Sequence, residues 1–538
     1  MTTDAIRAAG DAAVLLRLGA VMDPEVNARA MAVADAVRQS QLPGIRDVVS
    51  TIRSVVVYFD PVQVDLAAVS RALHSASAAT PPASGGRSHE IAVAYGGDGG
   101  PDLAEVARWA QMSEQKVSAC HAAAEYRVYM LGFQPGFAYL GRVDPQIAIG
   151  RRATPRLRVP AGSVGIAGRQ TGIYPYESPG GWQIIGRALE SVFDPLADRP
   201  VRFAPGDTVR FRIEPGTAAS LPGRAVSGRS PASSARLTRS APPDTARAIT
   251  VLRPGLFTTV QCGSRWGRQS LGYPVSGPMD PLSHAIANLA VGNARDAAAL
   301  EVTIAGPELR LEHDAMIAIA GANLSATLDG APIPAQSPVS CRADSVLRFG
   351  ERRTGARVYV AFDGGIEAEA DWPVKPLVIG QVLGLRSERN ATGRTIRASE
   401  NLPAGAATLR VLPGPQDDVA PLGALEWLVA TQFAISPQSN RMGYRLKGAS
   451  ALSARAEEMI SDGTFFGAIQ VPPSGDPILL MADRQTTGGY PQVATVISAD
   501  LPRAGQLAPG DRVTFELCSH ADAVAALAEQ EAMLADGR

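Results

Sequence analysis

Lysine, cysteine and long apolar runs are scarce in this chain. Of its 51 basic residues only Lys116, Lys375 and Lys447 are lysine, and none follows a glycine. A Walker A phosphate loop is therefore excluded, and no Met-Lys-Met turn is present to carry biotin. The four cysteines, Cys120, Cys262, Cys341 and Cys518, are far apart with no CxxC or Cys/His spacing. That argues against a metal site and against a disulfide scaffold, and fits a reducing cytoplasm. No window reaches the ~18 uninterrupted apolar residues of a membrane helix, and acids flank the short apolar run near the start, so neither a membrane span nor a targeting segment is expected. A net charge of −1 leaves no field to hold a nucleic acid. No GxSxG elbow is present.

What is present is a globular, turn-rich composition: 46% hydrophobic and 19% charged residues, with 53 Gly and 41 Pro. At 538 residues, two or more separately cored domains are expected. The Pro, Gly, Ser and Arg-rich stretch from Glu214 to Arg247 reads as a linker. Before it, β-type runs at Ala13–Leu18, Ser54–Phe59 and Ile91–Tyr95 alternate with helix-type runs at Glu25–Arg38, Val64–Leu73, Asp102–Trp109 and Glu114–Ala123, an α+β module. From Arg127 to Phe211 and from Ile249 to Leu517 short β runs are separated by Gly and Pro, with one helix near Pro281–Val291. Two motifs recur in the same order. Gly168–Tyr174 (GRQTGIY) and Ala204–Phe211 (APGDTVRF) match Asp483–Tyr490 (DRQTTGGY) and Ala508–Phe515 (APGDRVTF). They suggest two related β folds packed as a pseudo-symmetric pair with a ligand cleft between them.

Several blocks are candidates for chemistry. Tyr129–Gly141, which includes Tyr139, sets aromatics among glycines and suits either a pocket wall or a turn over a hydrophobic cluster. Arg151–Pro160 carries Arg152 and Arg156 with Thr154 and Pro160 and no acid. Guanidinium forks grip carboxylate or phosphate, although a solvated edge reads equally well. Gly162–Gly168, with Ser163, offers backbone N–H groups to an anion, and Gln170 and Tyr174 follow in the repeated motif. His121 stands near the end of a helix that Ser113 caps, where structural and catalytic roles are equally open. Ser276 sits in a turn ahead of a helix whose N-cap is Asp280. Gln438 and Arg441, and then Arg484, Gln485, Thr486 and Tyr490, place polar side chains beside glycines in apolar β context, as buried networks or site walls.

These blocks are specific enough to carry a resemblance. Residues 10–213, through EYRVYMLGF-PGF-YLG, RRATPRLRVPAGSVGIAG-QTGIYP, ESPGGW-IIGR and PGD, closely resemble the 5-oxoprolinase B subunit, also described as the kinase A inhibitor or allophanate hydrolase subunit 1 family. Residues 249–517, through VLRPGLFTTVQ, GYPVSGPMD, AALEVTIAGPELR, VLPGPQDD, SPQSNRMGYRL and ADRQTTGGYPQVATVI, resemble the 5-oxoprolinase C subunit, or allophanate hydrolase subunit 2. The same pair resembles the carboxyltransferase region of biotin-dependent urea carboxylase. The resemblance implies an α+β and mainly β protein, a small ferredoxin-like α+β domain followed by two cyclophilin-like β-barrels in pseudo-symmetric arrangement. The expected units are 1–88, 89–214, a linker at 215–247, 248–520, and a helical tail at 521–538.

It also implies an enzyme component that, with ATP and a separate LamB/YcsF-type 5-oxoprolinase subunit, opens 5-oxo-L-proline to glutamate. An ATP site shared with that separate subunit is compatible with the resemblance, and no biotin is attached to this chain. His121, Arg156, Ser276 and Arg484 are then the catalytic candidates. Tyr139, Arg152, Thr154, Pro160, Ser163, Gln170, Tyr174, Gln438, Arg441, Gln485, Thr486 and Tyr490 are the substrate-binding ones. A carboxyltransferase and a non-catalytic regulator of a histidine kinase stay open, as does a homo-oligomer. Two departures from the family pattern bear on specificity: Cys262 stands where Asp is usual, and Glu367–Arg389 replaces a usual loop.

Overall fold

A computed structural model describes residues 5–81, 86–152, 154–214, 247–367, 374–386, 393–397, 402–416, 419–452 and 459–536. The expected linker lies outside these residues except for Glu214 and Arg247, and so does part of the Glu367–Arg389 loop. Strands β1 (Ala5–Ala8), β2 (Ala13–Arg17), β3 (Ile45–Ser50) and β4 (Ser54–Phe59) form an antiparallel sheet in the order β1-β2-β4-β3. Helices α1 (Pro24–Gln39) and α2 (Leu66–Ala76) cover one face. Helix α1 starts where the Asp23 carboxylate accepts from Glu25 N at 2.8 Å and Val26 N at 3.2 Å. Its Ala30, Val33, Ala34 and Val37, one helical face, pack on Val14, Leu16, Val55 and Val57.

β4 is buried along its whole length because both of its faces are covered. Val55, Val57 and Phe59 meet the helices, whereas Val56 and Tyr58 point the other way, onto Phe465 and Leu480 of the second half. The N-terminal module is thereby bound to the C-terminal half: Tyr58 Oη donates to Thr464 O at 2.8 Å, Ser54 Oγ to Asp462, and Ser498 N to Asp11 at 2.9 Å.

The first barrel is built from β5 (Ser88–Tyr95), β6 (Glu125–Leu131), β7 (Ala138–Gly141), β9 (Ser163–Ala167), β10 (Gln170–Ile173), β12 (Gln183–Ala188) and β13 (Thr208–Ile213). It closes in the order β10-β7-β6-β13-β5-β12-β9. β8 (Arg156–Val159) and β11 (Ser178–Gly180) pair beside it. Helices α3 (Leu103–Ala110) and α4 (Glu114–Ala123) pack on it, and Ser113 caps α4.

In the second half, residues 247–386 form a six-stranded and a five-stranded sheet around Ile249, Val302, Ile317 and Phe362, with α5 (Pro281–Ala290) capped by Asp280. A second closed barrel follows. Ala406–Pro413 takes the place of β5, Phe433–Ile435 of β6, and Gly443–Lys447 of β7. Ala468–Gln470 stands for β9, Ile478–Leu480 for β10, Gln492–Val496 for β12 and Arg512–Leu517 for β13, in the same circular order. In each barrel the first and last strands run parallel, β5 with β13 and Ala406–Pro413 with Arg512–Leu517. A helix at His520–Asp536 ends the described chain.

The repeat is therefore real, but only one of its two motif pairs is equivalent. Asp207 and Asp511 each accept from the backbone N–H three residues earlier, Ala204 and Ala508, at 2.9 Å, and turn the chain into the closing strand. The other pair does not superpose. Gln170–Ile173 is β10 itself, whereas Asp483–Tyr490 leaves the barrel between its β10-like and β12-like strands, where Thr487–Gly488 pairs with Asp462–Gly463. The two stretches share letters and occupy different places in the topology.

Candidate functional site

Three turns meet where the halves join. The first is Gly132–Phe137, between β6 and β7. The second is Gln269–Gly272, ahead of α5, and the third is Arg484–Gly488 of the second barrel. Phe133 N donates to Thr487 Oγ1 at 2.9 Å, and Thr487 Oγ1 lies 3.2 Å from Tyr139 Oη. Gly132 is required there: a Cβ would stand 2.5 Å from Thr487 Oγ1. Gly136 N donates to Leu271 O at 3.2 Å, and the carbonyl of Gln134 lies against Gly272, which has a positive φ. Behind the first turn, Phe133, Phe137, Tyr139, Tyr174 and Trp182 form an edge-to-face cluster with centroids 5.0–6.2 Å apart. Burial pushes the Tyr139 and Tyr174 hydroxyls up, so both remain protonated donors.

Arg484 and Arg441 differ sharply. Arg441 is buried and fully committed: Nε donates to Asp483 at 2.8 Å, Nη2 to Gly277 O at 2.6 Å and to Asp483 at 3.1 Å, and Nη1 to Glu301. Those carboxylates hold its guanidinium in the charged form against the cost of burial. Ser276 donates to the same Asp483 from a strained backbone at φ 55°. Arg484 is 2% exposed, and the one hydrogen bond of its side chain is to Gln269 Oε1 at 3.5 Å. Its Nε and Nη1 have no partner, and Phe466 lies 5.9 Å from the guanidinium carbon. Burial pulls its pKa down to about 10. The neighbouring carboxylates are occupied, Asp483 as above and Asp47 by Gly267 N at 3.0 Å and Gln269 N and Nε2 at 3.3 Å. Around the same turns Gln134 Nε2 and Thr486 Oγ1 are also buried without a partner.

Tyr139, Arg484, Gln485 and Thr486 thus come together, with Ser276 and Arg441 in the layer beneath. The other candidates lie elsewhere. His121 is in the first barrel's core, with Nδ1 2.7 Å from Tyr95 Oη and Nε2 2.9 Å from Thr171 Oγ1, stacked on Phe211; burial lowers its pKa to about 3. Arg152 and Arg156 converge on the buried Asp102, at 2.8 Å and at 2.8 and 2.6 Å, and Asp102 also accepts from Ile184 N at 2.6 Å. These two guanidiniums are held as a structural clamp.

Thr154, Pro160 and Gln438 are exposed, and Ser163 is a buried β9 residue. Gln170 borders a cavity of about 520 Å³ between the halves, with Met22, Arg142, Arg151 and Ile460. Tyr490 is half-buried and its carbonyl lies 3.4 Å from Gln470 Nε2. Cys262 packs against the core of residues 247–386. Sequence reasoning missed Gln134, Gln269 and Thr487. The first stood inside the singled-out aromatic block and the last inside the repeated motif, but nothing marked Gln269. Among the described residues no group of three His, Cys, Asp or Glu is placed for a metal ion, and no helix is long and apolar enough to cross a membrane.

The fold and its two-part junction are those of a carboxyltransferase-domain protein. The model of the carboxyltransferase domain, subdomain C and D, matches residues 5–203, and that of subdomain A and B matches 271–517; the chain belongs to this family. It is 58% identical over 122 residues to the 5-oxoprolinase B subunit of Escherichia coli O157:H7, covering 23% of this chain and 56% of that one. It is 32% identical over 305 residues to the 5-oxoprolinase C subunit of Escherichia coli K12, covering 53% of this chain and 95% of that one. A putative urea carboxylase of Emericella nidulans is 31% identical over 324 residues, covering 54% of this chain and 26% of that one. The crystal structure of TTHA0988 superposes with a TM-score of 0.81 at 35% identity, covering 94% of this chain and 99% of that one.

Proposed function

We propose that this chain is the substrate-holding component of an ATP-dependent 5-oxoprolinase, which opens 5-oxo-L-proline to L-glutamate together with a separate LamB/YcsF-type subunit. The observation that carries the reading is the junction. One half contributes the Gly132–Phe137 turn and the other Arg484–Gly488, and the uncommitted buried groups between them, Arg484 Nε and Nη1, Gln134 Nε2 and Thr486 Oγ1, are all able to donate. Donors fixed there from both halves would grip and orient an acceptor group of the substrate. The names of the relatives, the B and C subunits of one enzyme, support a reading in which both halves serve one site.

ATP fits less well on this chain alone. No lysine follows a glycine, so no phosphate loop of the Walker A type marks a triphosphate site on this chain. On this reading the ATP site is shared with the partner, and this chain binds and orients the lactam and excludes water from it. The test is glutamate and ADP release from 5-oxoproline and ATP. Turnover is expected only when chain and partner are combined, and turnover by the chain alone would refute the dependence. The likeness to a urea carboxylase supports a second reading, a carboxyltransferase; carboxylation of urea from a carboxylated biotin carrier, without oxoproline turnover, would establish it.

A further inference from the structure

We propose that Arg484, with Gln134 and Thr486, forms a carboxylate-recognition site, so that the junction selects a small acid over the neutral amide of the same shape. The inference deepens the proposed function and rests on its placing the substrate at this junction. It starts from a charge without a counter-ion. A guanidinium that is 2% exposed is costly to bury unless it is paired. Its neighbour Arg441, equally buried, has two carboxylates and a carbonyl. The Arg484 side chain has one long hydrogen bond to a neutral amide oxygen, and two of its three nitrogens keep unshared donors.

The surroundings are arranged to leave it so. Asp483 is adjacent in sequence yet is turned to Ser276 and Arg441. Asp47, on β3, is saturated by the backbone and side chain of the very turn that supplies Gln269. Tyr58 Oη is committed as a donor to Thr464 O and is kept protonated by burial, so it cannot serve as the missing anion.

The further uncommitted groups point to the same ligand. Gln134 borders the Gln269–Gly272 turn from the first barrel, and Thr486 follows Arg484 by two residues, next to the Thr487 that holds Phe133 N. Gln134 Nε2 and Thr486 Oγ1 are buried with no partner. Together these residues present guanidinium N–H groups on Nε and Nη1, one amide N–H and one hydroxyl. That set matches the two oxygens of a carboxylate, which accept and never donate. A urea-like ligand, rich in N–H, would face donors with donors. Phe466 and Gln485, beside Arg484, are half-buried.

The experiment is titration calorimetry on the full chain with 5-oxo-L-proline and with 2-pyrrolidone, the same lactam without its carboxylate, repeated in complex with the partner. Wild type is expected to bind the acid at least tenfold more tightly than the neutral lactam. Arg484→Met should erase that preference by weakening the acid ten- to a hundredfold while leaving 2-pyrrolidone unchanged. Arg484→Lys should restore only part of it, because the charge returns without the several fixed, planar N–H donors of the guanidinium. Equal affinity for the two ligands in wild type, a preference that survives Arg484→Met, or binding of neither ligand in the complex would overturn the site. An Arg484-dependent acid preference without lactam turnover would keep the site and overturn the function. Turnover that uses 2-pyrrolidone as well as the acid would do the reverse.

Discussion

Replacing Arg441 and Arg484 one at a time by methionine should have opposite effects on stability, although both are buried arginines of the same half. Removing Arg441 leaves Asp483 without a hydrogen-bonded cation and Glu301 with Arg357 Nε at 3.8 Å. Glu301 keeps Met279 N at 2.8 Å and Tyr359 Oη at 2.7 Å, and Asp483 keeps Ser276, but neither keeps a cation that makes hydrogen bonds to it. Breaking a buried pair from one side costs about 3–5 kcal/mol. At roughly 2–4 °C per kcal/mol for a unit of this size, the melting point should fall by roughly 6–20 °C. Removing Arg484 takes away a charge with no counter-ion, so its loss should be neutral or stabilising by about 1 kcal/mol, as expected where stability is given up for a ligand. Urea and thermal unfolding of both variants measure this directly. The reasoning is refuted if Arg441→Met costs under ~1 kcal/mol or Arg484→Met costs more than ~3 kcal/mol, since the second would make Arg484 a structural residue.

His121 is neutral in the fold, with its pKa lowered to about 3. As pH falls below ~6.5 the unfolded chain takes up a proton that the fold refuses, so its contribution is present above that pH and is lost progressively down to about 3, amounting to about 2 kcal/mol at pH 5. His121→Gln should flatten that part of the stability profile, and an unchanged slope would contradict the assignment. Asp102→Asn should loosen Arg152 and Arg156 together and destabilise the first barrel by ~1.5–3 kcal/mol, without altering ligand binding at the junction. Limited proteolysis should cut within 215–246 first, and the nicked halves should co-elute on size exclusion, because β4, Asp462 and Ser498 hold them together. Separation under native conditions would refute the joined-halves picture.

The barrels and their relation were legible because closing a barrel with a parallel strand needs a sharp corner, and the Ala-Pro-Gly-Asp corner recurs in both halves with the same aspartate bonds. Helices were legible where a capping side chain precedes the run, as at Ser113 and Asp280. The RQT likeness misled, because a short polar motif does not fix where in a barrel it falls. The Arg152 and Arg156 block read as a bare cationic patch because its counter-ion, Asp102, is 50 residues away in sequence. The distinction between Arg441 and Arg484 was invisible for the same reason: each follows a polar turn, and only the fold brings Glu301 and Asp483 to one and not to the other. Gln269 gave no signal, since its place is set by Asp47 from the N-terminal sheet.

The claim that both halves build one acid-binding site is tested most directly by 5-oxoproline turnover in the complex with the partner, using one variant from each half, Gln134→Leu and Arg484→Met, and the double variant. Each single variant is predicted to lower kcat/KM at least tenfold. The double variant should lose less than the product of the two, because both groups serve one ligand. Wild-type kcat/KM in either single variant, with the fold intact, would contradict the account.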